Sequence, residues 1–372
     1  MWKSGAAKPP TQSVIKMMSS ENMSQNDSFL DSQFRYSVFP TFYSLVFIFG
    51  LIANCYALYI LRNIRDVKAV NEVRIYMTNL TVADLLFIII LPLWIDYYNQ
   101  WGNWRFHEAM CRVSGAMFYI NTYCSILFLA VISFNRYWVV TRPLSAATSD
   151  HWHRGVLVSL VIWLFSVSAS IPYLFQKAIN DDKVSGKSRC FEGYHNMDDR
   201  TKHSLVLTHF LIIAFFFVVF LLVVICNLLI VRALLVPPVS PHGTRVSVRS
   251  LGLKCRALGM VMVVLVVFVV CFVPYHLVQG PWTLAVLQLA MVGDRDSRQL
   301  LNDAHQVTLM LMGLNCLLDP VIYCLATKMF RSYISMHFKK VMRGRSCPRN
   351  SSQTTVSMET RAPKEAMGPT VH

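Results

Sequence analysis

The sequence predicts an all-α protein, a bundle of seven membrane-spanning helices followed by a short amphipathic eighth helix. Three observations lead there. The 372-residue chain is 54% hydrophobic and only 15% charged, against roughly 45–50% and 25% for a soluble domain, so its charge cannot cover a soluble surface of this size. Seven stretches are each long enough to cross a bilayer, which takes about 20 mostly apolar helical residues for a ~30 Å hydrocarbon core. The net charge of +15 is distributed very unevenly along the chain. The same composition excludes a disordered chain, a disulfide scaffold and a collagen-like fibre.

The spans fall at about 38–61, 75–97, 112–140, 155–175, 204–235, 257–286 and 303–326. Spans five and six are the most uniform, with no charged residue from Phe210 to Ile225 or from Val261 to Val273. Spans two, three and seven carry polar residues inside the apolar run. Such side chains usually face the bundle interior and mark functional positions. Proline removes an i→i−4 bond and bends a helix, so kinks are expected at Pro92, Pro172, Pro274 and Pro320. A kinked span six above a basic cytoplasmic segment is a natural hinge, although static channels also contain kinks. Past span seven, Lys328 to Lys340 is a basic amphipathic stretch, expected to be a helix on the inner membrane surface. The domain reading is an extracellular tail (1–36), the membrane bundle (37–327), the amphipathic helix (328–345) and a cytoplasmic Ser/Thr-rich tail (346–372).

Lysine and arginine collect on the cytoplasmic side of a membrane protein. Of the 35 here, 21 lie in the loops after spans one, three and five and in the C-terminal tail. Acids run the other way, leaving net charges of +16 and about +1 on the two faces and −2 within the membrane. The basic balance is therefore a cytoplasmic face and not a nucleic-acid footprint. It places the N-terminus outside and the C-terminus inside, in the plasma membrane. Residues 1–36 contain no continuous apolar run, so span one is expected to serve as the signal anchor. Asn22 and Asn26 begin glycosylation sequons in the outer tail. Asn79, within span two, and Asn350, in the inner tail, begin sequons expected to stay unmodified.

Of ten cysteines, eight lie in spans or on the cytoplasmic side, where thiols stay reduced. Cys111 and Cys190 face the oxidising side and are expected to pair, folding the long outer loop over the bundle mouth; two free thiols are the alternative. Cys347 is a candidate for palmitoylation.

Asp84 lies in the middle of span two, where a charge costs ~2.5–3.5 kcal/mol on insertion scales and needs partners. Asn121 and Ser125 are one turn apart in span three, as are Asn315 and Asp319 in span seven. Two buried carboxylates among Asn and Ser could hold a small cation, most plausibly sodium, or share a proton. A hydrogen-bond network without an ion is the alternative. At the inner end of span three, Arg136 could simply snorkel to the interface.

Taken together these residues resemble the rhodopsin-like (class A) G-protein-coupled receptors over residues 36–345. Asn54, Leu80-Thr-Val-Ala-Asp84, Trp101-Gly-Asn-Trp104, the Cys111–Cys190 pair, Asn135-Arg136-Tyr137, Trp163, the series Phe268, Cys271, Phe272 and Pro274, and Asp319-Pro-Val-Ile-Tyr323 follow the family's landmarks in order. Further stretches, including Ser32-Gln-Phe-Arg-Tyr36, Leu91-Pro-Leu-Trp94, Arg189-Cys-Phe-Glu192 and Asn302-Asp-Ala-His-Gln-Val-Thr308, resemble a lipid-mediator branch of that family. The resemblance implies an acetylated ether phosphocholine as agonist, with another lipid, a nucleotide or a peptide as the competing reading. It also implies coupling to heterotrimeric G proteins of the Gq and Gi types, and regulation by receptor kinases and arrestin through the phosphorylatable tail. Departures from the family pattern are Asn135 in place of an acid, Phe272 in place of tryptophan, and Asn227 at the usual tyrosine position of a proline-free span five. Loss of the acid at 135 is expected to loosen the restraint on Arg136.

The resemblance and helical facing together select Trp94, Phe118, Tyr119, His209, Tyr275, His276, Gln279, His305 and Gln306 as ligand-binding residues. Aromatic faces attract a quaternary ammonium, and histidines and glutamines hydrogen-bond phosphate and ester oxygens. Phe118 stands where amine receptors carry a carboxylate, which disfavours a free-amine ligand. No lysine occurs from His305 to Ala326, so a retinal Schiff base in span seven is excluded. Phe272 and Pro274 are expected to link the pocket to the hinge, with Arg136, Tyr137 and Tyr323 at the inner cleft that receives a G protein. No cofactor is expected beyond the candidate sodium ion. The chain shows no internal repeat of the kind transporters carry, and none of the His-Glu-x-x-His, Gly-x-Ser-x-Gly or Cys-x-x-Cys patterns of enzymes.

Overall fold

The computed structural model describes residues 30–63, 72–141, 151–182, 185–193, 198–235, 248–287, 289, 295–326 and 328–344. In chain order these form α1 (Gln33–Asn63), α2 (Glu72–Asn99), α3 (Glu108–Thr141), α4 (His151–Phe175), the strands β1 (Ile179–Asp182) and β2 (Lys187–Cys190), α5 (Asp199–Leu235), α6 (Val248–Val267), a π-helical turn (Phe268–Phe272), α7 (Val273–Val286), α8 (Arg295–Gly313), α9 (Asn315–Ala326) and α10 (Lys328–Gly344). Seven membrane spans result, with α6, the π turn and α7 making the sixth and α8 with α9 the seventh. A compact unit extends through Tyr333, and a second begins at Ile334 within α10.

Hydropathy locates the spans but understates the helices. α5 has 37 residues, about 55 Å at 1.5 Å per residue, well beyond a ~30 Å hydrocarbon core. The extra turns are polar, because helical hydrogen bonding continues after the apolar run ends. α8 begins at Arg295 rather than near 303, and α1 at Gln33 rather than 38. Outward faces are apolar, with Ile52, Leu164 and Leu211 each more than 60% exposed. The polar groups point inward: Asn54, Asp84, Ser125, Asn315 and Asp319 are fully buried. α3 packs against α2, α4 and α5, near the middle of the bundle.

The prolines act in different ways. Pro92 and Pro172 are accommodated inside continuous α2 and α4. Pro274 cannot donate to its i−4 carbonyl, and the turn just before it is widened, with the Val273 N–H reaching back to the Phe268 carbonyl. The seventh span is interrupted at Leu314, between Gly313 and Asn315. The Cys316 carbonyl, which Pro320 cannot serve, instead accepts from Asn54 Nδ2 at 2.8 Å.

The outer loop between spans four and five forms a two-stranded antiparallel hairpin pairing Ile179 with Cys190 and Asp182 with Lys187. The Cys111–Cys190 disulfide ties β2 to the beginning of α3.

Candidate functional site

Beneath the hairpin lies a cavity of about 120 Å³ bounded by residues of spans one to seven and the outer loop. One wall is aromatic. Trp94 packs with Tyr98 (6.3 Å between ring centres, nearly parallel), and Tyr119 stacks on Tyr173 at 3.9 Å. A buried polar relay adjoins this wall. His305 Nε2 donates to Gln279 Oε1 at 2.6 Å, and Gln279 Nε2 donates to His209 Nδ1 at 3.1 Å. That leaves His209 Nε2–H facing the Tyr173 hydroxyl at 3.3 Å. In this arrangement the His209 imidazole accepts through Nδ1 and donates through Nε2. Trp282 lies flat on His305 at 3.9 Å and donates its indole N–H to Asn302. His305 Nδ1 is buried and has no partner among the described residues.

The roof is built from distant parts of the chain. Arg35 Nη2 and the Tyr97 hydroxyl both donate to Glu192 Oε1. Arg189 donates to Asp31 at 2.8 Å and to the Tyr36 hydroxyl at 2.7 Å, which itself donates to Asp31. Burial alone would lower the pKa of Arg189, but Glu192, Tyr36, Tyr97 and Asp31 outweigh it and hold the guanidinium above its ordinary value. Phe191 occupies the left-handed backbone region (φ 54°), a costly conformation for a bulky residue. Its ring lies over Gly115, where an added Cβ would come within 2.3 Å of it.

Below the cavity, His276 stacks on Phe216 at 3.7 Å and points Nδ1 at the Phe272 carbonyl, 2.8 Å away. Phe268 and Phe272 meet edge to face in the same layer. Deeper still, Asn121 Nδ2 donates to Asp84 Oδ1 at 3.0 Å and Asn315 Nδ2 to Ser125 Oγ at 2.9 Å. Asp84 faces Asp319. Asp84 Oδ2, both Asp319 carboxylate oxygens and Asn54 Oδ1 are buried with no hydrogen-bond partner among the described residues. Such a cluster of unsatisfied acceptors fits a small cation or a shared proton. The Tyr323 hydroxyl accepts from Thr81 at 3.1 Å, and Asn227 of span five is buried with its amide nitrogen unpartnered among the described residues.

At the inner end, Asn135 Nδ2 donates to Glu72 Oε2 at 2.7 Å, and Arg154 pairs with the other oxygen of that carboxylate. Spans two, three and four are thus joined through one buried acid. Asn135 has a partner on the neighbouring span. Arg136 and Tyr137 are half-buried beside it.

Of the residues selected from sequence, Trp94, Phe118, Tyr119, His209, Tyr275, Gln279, His305 and Gln306 line the cavity. His276 does not. It faces span five one layer lower, because Gln279 and Tyr275, three residues above and one below it, occupy the cavity face of the helix. Sequence reading missed Tyr98, Tyr173, Trp282 and Glu192 in the lining, and Arg35 and Glu72 in the networks. For Glu192 a signal existed, since it follows Phe191 and Cys190 directly. Asn22, Asn26 and Cys347 lie outside the described residues.

A family model described as 7 transmembrane receptor (rhodopsin family) matches residues 53–323. The chain is 44% identical to the human platelet-activating factor receptor over 339 residues, covering 90% of this chain and 95% of that one. It is 45% identical to the goat (Capra hircus) platelet-activating factor receptor over 337 residues, 89% of this chain and 95% of that one. Human lysophosphatidic acid receptor 6 is 29% identical over 315 residues, 85% of this chain and 88% of that one.

Proposed function

This chain belongs to the rhodopsin family of seven-transmembrane receptors, and from that premise we propose that its agonist is platelet-activating factor, an acetylated ether phosphocholine. The family makes it a multi-pass membrane receptor that couples to heterotrimeric G proteins, and not an enzyme. The observation that carries the ligand reading is the chemistry of the cavity, which sets aromatic faces beside the His305–Gln279–His209 relay. Aromatic faces attract a quaternary ammonium, and the second amide hydrogen of Gln279, which the relay does not use, can donate to a phosphate or ester oxygen. Among the described residues, no lysine or arginine lines the cavity. A ligand with net negative charge, such as a lysophosphatidate or a nucleotide, would meet no cationic side chain there, whereas a zwitterion carries its own balancing charge.

Activation is a population shift. The agonist must bind the state with the inner half of span six swung outward better than the closed state. The π turn and Pro274 supply the hinge, and Phe272 with His276 transmits the change from the cavity floor. The cleft near Arg136, Tyr137 and Tyr323 then receives the C-terminal helix of a Gα subunit, of the Gq and Gi types. Asp84, Asn121, Ser125, Asn315 and Asp319 would hold a sodium ion, which when bound neutralises buried carboxylate charge. Phosphorylation of the 346–372 tail by receptor kinases would recruit arrestin. In binding assays on membranes from transfected cells, labelled acetylated ether phosphocholine should be displaced by its unlabelled form well before lysophosphatidate. Gln279→Ala should weaken it about tenfold or more, one lost hydrogen bond to a charged group. Preferential displacement by lysophosphatidate would overturn the reading.

A further inference from the structure

Among the described residues, Glu192 is the single acidic one lining the cavity. It immediately follows the strained Phe191, and Gly193 after it also has positive φ. This backbone sets Phe191 down on Gly115 while the Glu192 backbone carbonyl is held by Asn180 Nδ2 at 2.7 Å. Its two side-chain donors, Arg35 and Tyr97, both serve Oε1; Oε2 takes none among the described residues. Tyr97 packs edge-on against Trp94, so the carboxylate adjoins the aromatic wall. In the surrounding roof, Arg35 reaches Asp31 and Glu192, and Arg189 reaches Asp31 and Asp182.

We propose that Glu192 is the counter-ion for the trimethylammonium group of the ligand, placing the headgroup under the outer hairpin beside Trp94 and Tyr98. This rests on the phosphocholine reading above and adds an orientation to it. A quaternary ammonium has no N–H to donate. It is held by diffuse negative potential, which an aromatic wall and a carboxylate with a free oxygen provide together. Arg35 fixes the carboxylate by its other oxygen, so little side-chain order is lost on binding. The phosphate and ester oxygens then fall toward the His305–Gln279–His209 relay.

The test compares two agonists in calcium mobilisation. One is the acetylated ether phosphocholine, whose headgroup ends in the charged ammonium. The other is the isostere in which carbon replaces that nitrogen, so that the headgroup ends in an uncharged tert-butyl group and only the phosphate charge remains. The parent receptor should respond to the ammonium lipid at about tenfold lower concentration, the ratio expected for roughly 1.4 kcal/mol of differential attraction. In Glu192→Gln, which keeps an acceptor for Arg35, the two lipids should become nearly equipotent. Both lipids losing the same factor would mean that Glu192 only supports the loop, and would overturn the proposal, as would equal potency on the parent. If Glu192→Gln fails to reach the surface, the parent comparison and Glu192→Asp decide: the latter should keep the preference for the ammonium lipid. A surface-expressed parent that answers neither lipid removes the phosphocholine reading itself, and this orientation with it.

Discussion

Gly115 shows how a single missing Cβ shapes the cavity. The Phe191 ring occupies the space a side chain would fill, with the nearest ring carbon 2.3 Å from the would-be Cβ. Gly115→Ala must push that ring away, and because Phe191 is itself a lining residue the cavity changes shape. Agonist affinity should fall about tenfold, a shift of roughly 1.4 kcal/mol within the 1–3 kcal/mol range of overpacking effects, while surface expression stays near parent. Unchanged affinity would mean that Phe191 does not shape the bound state. Asn54 works in a comparable way, since its amide replaces the donor that Pro320 lacks. His276, outside the cavity lining, sits where the Phe216 and Phe272 contacts meet.

At the scale of elements, the most informative join is the one among spans two, three and four. Glu72 is 2% exposed and accepts from both Asn135 and Arg154. An acid at 135, as in most of the family, would set two carboxylates against each other. Glu72→Ala should therefore raise agonist-independent nucleotide exchange severalfold, through the loss of about 1–3 kcal/mol of buried hydrogen bonding. Asn135→Asp should do likewise by repulsion, and Asn135→Asp combined with Glu72→Gln should return toward the parent. A double variant no quieter than either single one would contradict this join. The seven helices, their order and the Cys111–Cys190 bond were legible because hydropathy, length and compartment act locally along the chain. Glu72 and Arg35 were not, because both lie in polar helix ends just outside the apolar runs. Their partners are 63 and 157 residues away, and no local pattern encodes such a pairing. The π turn was hidden too. Pro274 signals a disturbance in the helix, but only the packing around Phe268 and Phe272 decides that the turn widens.

Over the whole molecule, the features that composition first displayed resolve into placement. The basic excess belongs to one face of the membrane, the apolar excess to the lipid-facing helices, and Asp84 and Asp319 lie buried between them. Cavity, aromatic layer, buried acids and the Glu72 join form successive layers along the bundle, and span six with its widened turn runs beside the upper layers. A ligand acting through such a stack can favour the open inner cleft only by the difference in its affinity for the two states. By reciprocity, a bound G protein must raise agonist affinity by the same factor. The most direct test of the central claim is calcium mobilisation in transfected cells, comparing acetylated ether phosphocholine with its deacetylated form at matched surface expression. The account predicts a robust response to the acetylated lipid and a response to the deacetylated form only at about a hundredfold higher concentration, near 2.7 kcal/mol. No response to the acetylated lipid, or equal responses to both, would contradict it.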